Sequence, residues 1–244
     1  KALVTDRTLA LTGTPLENRL LDLWSIMDFL NPGFFGTADA FAGRVQADSG
    51  KQDLSRQLGP VMLRRTKEAV APELPPRTEE IIHVDMTPEQ RAAYDRELLR
   101  ARELVQSRGP IELLAALTRL RQICCDAALL NPTLTDASSA KLTTLTDMLR
   151  ELADEGHSAL VFSQFTTMLE RIRVALEQAG LQTLTLTGKT PTAQRAERVR
   201  EFNEADKPVI FLLSLRAAGT GLTLTRADYV FIFDPWWNPA VERQ

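Results

Sequence analysis

Cysteine and histidine are scarce in this 244-residue chain, with two of each. The cysteines, Cys124 and Cys125, are adjacent and have no third partner, which speaks against a disulfide framework. With only His83 and His157 besides, neither a zinc site nor a Ser/His/Asp set is visible. No apolar run reaches the roughly eighteen residues that a membrane span takes. Excess positive charge is also missing: the net charge of -3 argues against a uniformly basic nucleic-acid binder, although a local patch can still hold phosphate. Lysine is rare, 6 against 23 arginines, and with the abundant Ala and Leu this bias points to a GC-rich bacterial source. The chain opens on KALVTD without an initiating Met or a leader and stops at VERQ inside an element. It therefore reads as a piece of a longer cytosolic protein.

What is present is ordinary globular composition, 44% hydrophobic and 25% charged, enough for two modest domains or one large one. TLALTG (8–13) reads as a buried strand. After it, Glu17 or Asn18 opens a helix whose apolar face is Leu20, Leu23, Trp24, Met27 and Leu30, stopped by Asn31-Pro32-Gly33. Residues 34–60 read as a loosely helical, exposed insertion, and Pro72, Pro75 and Pro76 force an extended crossing. TPEQRAAYDRELLRARELV carries a capping-box opening, Thr87 with Gln90. A further helix, IELLAALTRLRQICC, has Leu113, Leu114, Leu117, Leu120 and Cys124 as its expected buried stripe. NPTLTDASS (131–139) marks the expected boundary, dividing 1–137 from 138–244, with a helical insertion over about 34–110.

Beyond Ser139 strands and helices alternate. SALVFS, TLTLT, PVIFLLS and DYVFIFD read as strands, the last two buried, with an amphipathic helix closed by Gly180 and a second helix between the first three. That alternation predicts an α/β fold, a parallel sheet with helices on both faces, whose ligands bind at the carboxyl ends of the strands. Ser163-Gln164, Ser214 to Gly221 and Asp234 all fall at such ends.

Four stretches bear on chemistry. LTGTPLEN (11–18) looks like a phosphate cradle, yet it has one glycine, no following lysine, and a proline that removes a donor. SLRAAGTGL (214–222) sets Arg216 beside Gly219 and Gly221 after a strand, where backbone can approach a phosphate or sugar; a plain strand-to-helix turn explains it equally. DPWWNP (234–239) suits a packed hinge or a stacking surface, and each tryptophan alone reads as core. Arg64, Arg65 and Lys67 form a short basic run that is either a solvated face or a contact to carboxylates or a phosphate backbone.

The ordered set LTGTPLEN, LRRTK with LPPR, LRQICC, LVFSQF, SLRAAGTGLTLT and DPWWNP resembles the Swi/Snf-type family of helicase-related, DNA-dependent ATPases over essentially the whole chain. The resemblance implies two RecA-like lobes with ATP and Mg2+ between them and double-stranded DNA across both. On that likeness Thr12, Gly13, Thr14, Pro15 and Asn18 belong to a coupling turn beneath the ATP cleft. Gly219 and Gly221 close on the ribose side of the nucleotide, and Gln244 lies on the approach to the last motif. Ser163, Gln164, Ser214 and Arg216 match DNA-backbone contacts, which Arg64 and Arg65 are expected to extend. The family's phosphate loop, its magnesium-binding Asp-Glu pair and its final arginines have no counterpart in these residues. Ala218 stands where a second glycine is usual, and Asp126 where many relatives have His. The implied function is a monomeric ATP-driven duplex-DNA translocase, nucleoid-associated and free of membranes, acting on DNA-bound protein or RNA polymerase. This piece alone is expected to be inactive. An RNA- or DNA-unwinding helicase of a related class and a non-catalytic α/β partner-binding module stay open as alternatives.

Overall fold

The computed structural model of the protein describes residues 5–12, 20–46, 50–63, 65, 67–73, 78–108, 111–134, 139–218 and 222–235. These fall into two compact units, up to Ile81 and from Ile82 onward.

In the first unit the apolar spacing of LLDLWSIMDFL makes α1 (Leu20–Leu30), which buries Leu23 and Met27 as its periodicity predicts. Gly33 ends the run: its φ of +80° is a left-handed conformation that a side chain would resist. Short helices α2 (Ala38–Gln46), α3 (Gly50–Leu58) and α4 (Lys67–Val70) follow. The described residues of 34–60 are helical in part and mostly exposed, as expected, but three large side chains turn inward. Phe35, Phe41 and Leu58 are buried and join Leu23 and Met27 in one apolar cluster. Three well-spaced large side chains suffice to fold a polar-looking stretch onto α1. The expected strand over 8–13 is corrected. Residues 8–12 carry no regular structure, and Leu9 and Leu11 are 81% and 89% exposed. Among the described residues no neighbouring strand offers this segment a ladder, and a lone strand cannot satisfy its backbone.

The second unit opens with a helical hairpin, α5 (Pro88–Arg108) and α6 (Ile111–Cys125). Thr87 caps α5 as expected, its Oγ1 accepting the Gln90 N–H at 3.1 Å. The reciprocal half of the capping box is absent. Gln90 is buried, and its Nε2 donates instead to the carbonyls of Ile123 (2.7 Å) and Cys124 (3.2 Å) at the end of α6. The buried face of α6 is rotated from the expected stripe. Ala116, Leu120 and Ile123 are buried, whereas Leu114 is 71% exposed and Leu113 also faces solvent. Both faces of this helix carry leucines, so periodicity could not choose between them; packing against α5 does.

A 3₁₀ turn, Ala127–Leu129, leads to α7 (Ala140–Asp154), whose N-cap Ser139 accepts the Leu142 N–H at 3.0 Å. Then come β1 (Ser158–Ser163), α8 (Thr166–Gln178), β2 (Thr183–Leu186), α9 (Thr192–Asn203), β3 (Ile210–Ser214), α10 (Leu215–Ala218) and β4 (Ala227–Ile232). Gly180, φ +79°, closes α8 as expected. The strands form a parallel sheet in the order β2-β3-β1-β4. Alternate residues supply the two faces. Ala159, Val161, Ile210 and Leu212 pack with Leu145 and Leu149 of α7 and Met168, Leu169, Ile172 and Leu176 of α8. Leu160, Phe211 and Leu213 pack with Phe202 of α9 and Ala217 of α10. This is the predicted α/β architecture. One strand differs: β4, expected to be buried, lies at an edge among the described strands, with Tyr229, Val230 and Ile232 exposed.

Candidate functional site

Because all four strands run the same way, their carboxyl ends share one rim. Ser163 and Ser214 end β1 and β3, and the register sets them directly opposite each other. The chain leaving β4 is pinned to the same rim by the Phe233 N–H, which donates to the Phe162 carbonyl at 3.0 Å. That brings Asp234 beside them.

Both serine hydroxyls are buried. Ser163 Oγ accepts the Phe165 N–H at 3.1 Å, which folds residues 163–165 into the turn that starts α8. Gln164 sits at the apex of that turn. Its backbone N–H donates to Asp234 Oδ2 at 3.1 Å, and its side-chain Oε1 accepts from Arg121 Nη1 at 3.2 Å. The other arm of Arg121, Nη2, donates to the carbonyl of Pro235. Burial raises the Asp234 carboxyl above its ordinary value, against the pull of the Ser163 hydroxyl, the Gln164 N–H and the Arg121 charge. Ser214 Oγ, Gln164 Nε2 and Asp234 Oδ1 are buried and find no hydrogen-bond partner among the described residues. Buried polar atoms are nearly always paired, and three of the six unpaired ones among the described residues gather at this rim.

Close behind the rim, Cys125 and Cys124 are shielded. Burial pushes the Cys125 thiol up to about 12, with the Asp234 charge adding to it, and burial also raises Cys124. Neither is a reactive thiolate. Asp126, wholly buried, accepts from Arg171 Nε at 2.5 Å and from the Ala128 N–H at 2.8 Å. It thereby ties the end of α6 to α8.

Of the expected site residues, the structure brings Ser163, Gln164 and Ser214 together. Arg216 belongs to α10, which starts right after Ser214, and its side chain lies outside the described part. Thr12 and Arg65 are exposed in irregular segments of the first unit. Gly13, Thr14, Pro15, Asn18, Arg64, Gly219, Gly221 and Gln244 lie outside the described residues, as do Trp236, Trp237, Asn238 and Pro239. Sequence reasoning missed Arg121; its only signal was a place inside LRQICC. His157 pairs with Asp228 at 2.9 Å on the surface. Among the described residues no group of His, Cys, Asp and Glu is placed to hold a metal ion. Nor does the sequence contain a Gly-x4-Gly-Lys-Ser/Thr loop. The residues at hand therefore do not by themselves fit a nucleotide with its Mg2+.

The chain is similar to known proteins over nearly its whole length. The SNF2-related domain matches residues 1–129, and the helicase conserved C-terminal domain matches residues 140–244. An ATP-dependent helicase of Mycoplasma pneumoniae is 33% identical over 97% of this chain and 23% of its own length. The human SWI/SNF-related matrix-associated actin-dependent regulator of chromatin subfamily A member 1 is 34% identical over 97% of this chain and 25% of its own. The chain thus spans about a quarter of these relatives. Among solved structures, the Sulfolobus solfataricus SWI2/SNF2 ATPase core in complex with dsDNA superposes with a TM-score of 0.62 at 32% identity. That likeness covers 95% of this chain and 53% of the other.

Proposed function

The chain belongs to the SNF2-related family, and from that premise we propose that it is the coupling and DNA-engaging part of an ATP-dependent double-stranded DNA translocase. One observation carries the reading: the rim formed by Ser163, Gln164, Ser214 and Asp234 at the carboxyl ends of a parallel sheet. Ligands of such sheets dock there, and a similar core has been solved with duplex DNA. In this reading Ser163 shapes the turn, and the 163–165 backbone, Arg216 and the Arg64-Arg65 run face DNA phosphates. Thr12 to Pro15 and Asn18 form the coupling turn toward ATP, and Gly219, Gly221 and Gln244 approach the nucleotide from the second lobe. The lobes divide near 137/138. The packing division at 81/82 is a separate matter, since it records which residues touch and not which lobe they descend from.

ATP and Mg2+ would be held by segments of the longer protein, and no chemical step is assigned to residues of this chain. DNA-bound protein or RNA polymerase is the proposed obstacle, and a monomer in the bacterial nucleoid the proposed setting.

Phosphate release by the longer protein and by residues 1–244, each with and without duplex DNA, tests the proposal. The longer protein should turn over ATP faster with DNA and lose that stimulation at high salt, as counterion release requires. Residues 1–244 alone should show none, since a missing arginine finger by itself costs about a thousandfold or more. Arg216→Ala should lower the salt slope of DNA affinity by about one. Turnover by the 244 residues alone would overturn the reading, and absence of any turnover by the longer protein would favour the non-catalytic partner-binding module. Strand displacement would favour the unwinding helicase.

A further inference from the structure

Three segments far apart in sequence meet at one side chain. Arg121, near the end of α6, reaches Gln164, 43 residues on, through Nη1, and Pro235, 114 residues on, through Nη2. Between these two acceptors Asp234 Oδ2 takes the Gln164 N–H. The contacts close on themselves: guanidinium to Gln164 side chain, Gln164 backbone to Asp234, and the next residue's carbonyl back to the guanidinium. A planar fork with donors on two separate nitrogens can make both outer contacts at once; an ammonium carries all its donors on one nitrogen and cannot span them.

Arg121 is also presented on a well-held helix. Ala116, Leu120 and Ile123 are buried, Gln90 binds the last carbonyls, and Arg119 pairs with Glu97 of α5. The strands beneath do not depend on Arg121, because their ladders and the two apolar clusters join them already. What the guanidinium adds is a fixed placement of the 163–165 turn relative to the end of β4.

We propose that Arg121 is a positioning residue that locks the 163–165 turn and the 234–235 strand end to α6, so that DNA engagement at the turn reaches both as one unit. This inference rests on the DNA-facing reading of the turn given above.

The test uses the longer protein carrying Arg121→Ala, Arg121→Lys or, as a helix-stability control, Arg119→Ala. Amide exchange over 163–166 and 233–235 reads the lock directly. Loss of a charge-assisted hydrogen bond should speed exchange there about tenfold or more in both Arg121 variants. Arg119→Ala should lower the melting temperature and leave exchange at 163–166 unchanged. DNA-stimulated kcat should fall about tenfold in the Arg121 variants, with KM for ATP and DNA affinity within about twofold of wild type. Unchanged exchange overturns the lock. Faster exchange with an unchanged kcat overturns the positioning role, and full rescue by Lys overturns the argument from the fork. A wild-type protein without DNA-stimulated turnover overturns the motor reading instead, while the exchange measurement still decides the lock.

Discussion

The two units bury different things. Up to Ile81 the interior formed by the described residues is purely apolar: Leu23, Met27, Phe35, Phe41 and Leu58, contributed by helices and the loop between them. Every buried polar or charged side chain among the described residues lies from Ile82 onward: Gln90, Asp126, Ser139, Ser158, Ser163, Ser214 and Asp234. Burying such groups costs free energy unless each finds a partner, so their confinement to one unit separates two kinds of design. The first unit is held by packing. In the second, a sheet with apolar faces is tied at its ends by polar contacts: Ser158 holds the Val209 N–H at the start of the strands, and the rim residues gather at their carboxyl ends.

Core truncation should show this difference most strongly. Phe202→Ala removes a ring packed 5.2 Å from that of Phe211 beneath a rigid sheet, and should cost near the top of the range of about 3–5 kcal/mol for such changes. Phe41→Ala empties a smaller cluster of helices and one loop that can collapse further, and should fall near the bottom of that range. Urea unfolding with segment-resolved amide exchange measures both; equal costs would break the comparison.

Asp126→Ala comes next. It strands the Arg171 guanidinium and uncaps the Ala128 N–H. Breaking a buried pair costs about 3–5 kcal/mol, and the partial exposure of Arg171 places this one at about 3 or below. Asp126→Asn keeps an acceptor for Ala128 and should lose less. If the two variants unfold at the same urea concentration, the cap contributes nothing and the lost ion pair is the whole effect.

The smallest effect concerns pH. Since burial raises the Asp234 carboxyl, the folded chain holds its proton more tightly than the unfolded chain does. The resulting stabilisation is complete below the ordinary Asp range and is lost as pH rises through the raised value. Asp234→Asn, which keeps an oxygen for the Gln164 N–H, should flatten the stability curve across that window. Parallel curves for the two proteins would show that Asp234 ionises as freely as a surface carboxylate and would remove it from the list of costly buried groups.

Periodicity alone determined much of this protein. Residues 158–163 could be read as a strand because they form a short apolar run, 166–178 as a helix because their apolar positions repeat at helical spacing, and parallel pairing follows from the alternation of strand and helix. The strand-end serines were legible for the same reason: a strand's last residue is a local fact. Three matters were decided only by tertiary structure. Leucines on both sides of α6 left its buried face open until α5 packed against it. Gln90 suited a local cap, and the carbonyls ending α6, 33 and 34 residues on, claimed its side chain instead. Arg121 meets Gln164 and Pro235 only because β1 and β4 are neighbours in the sheet. Local patterns fix what lies within a few residues of a side chain, whereas a bidentate contact across 114 residues exists only once the sheet has brought its ends together.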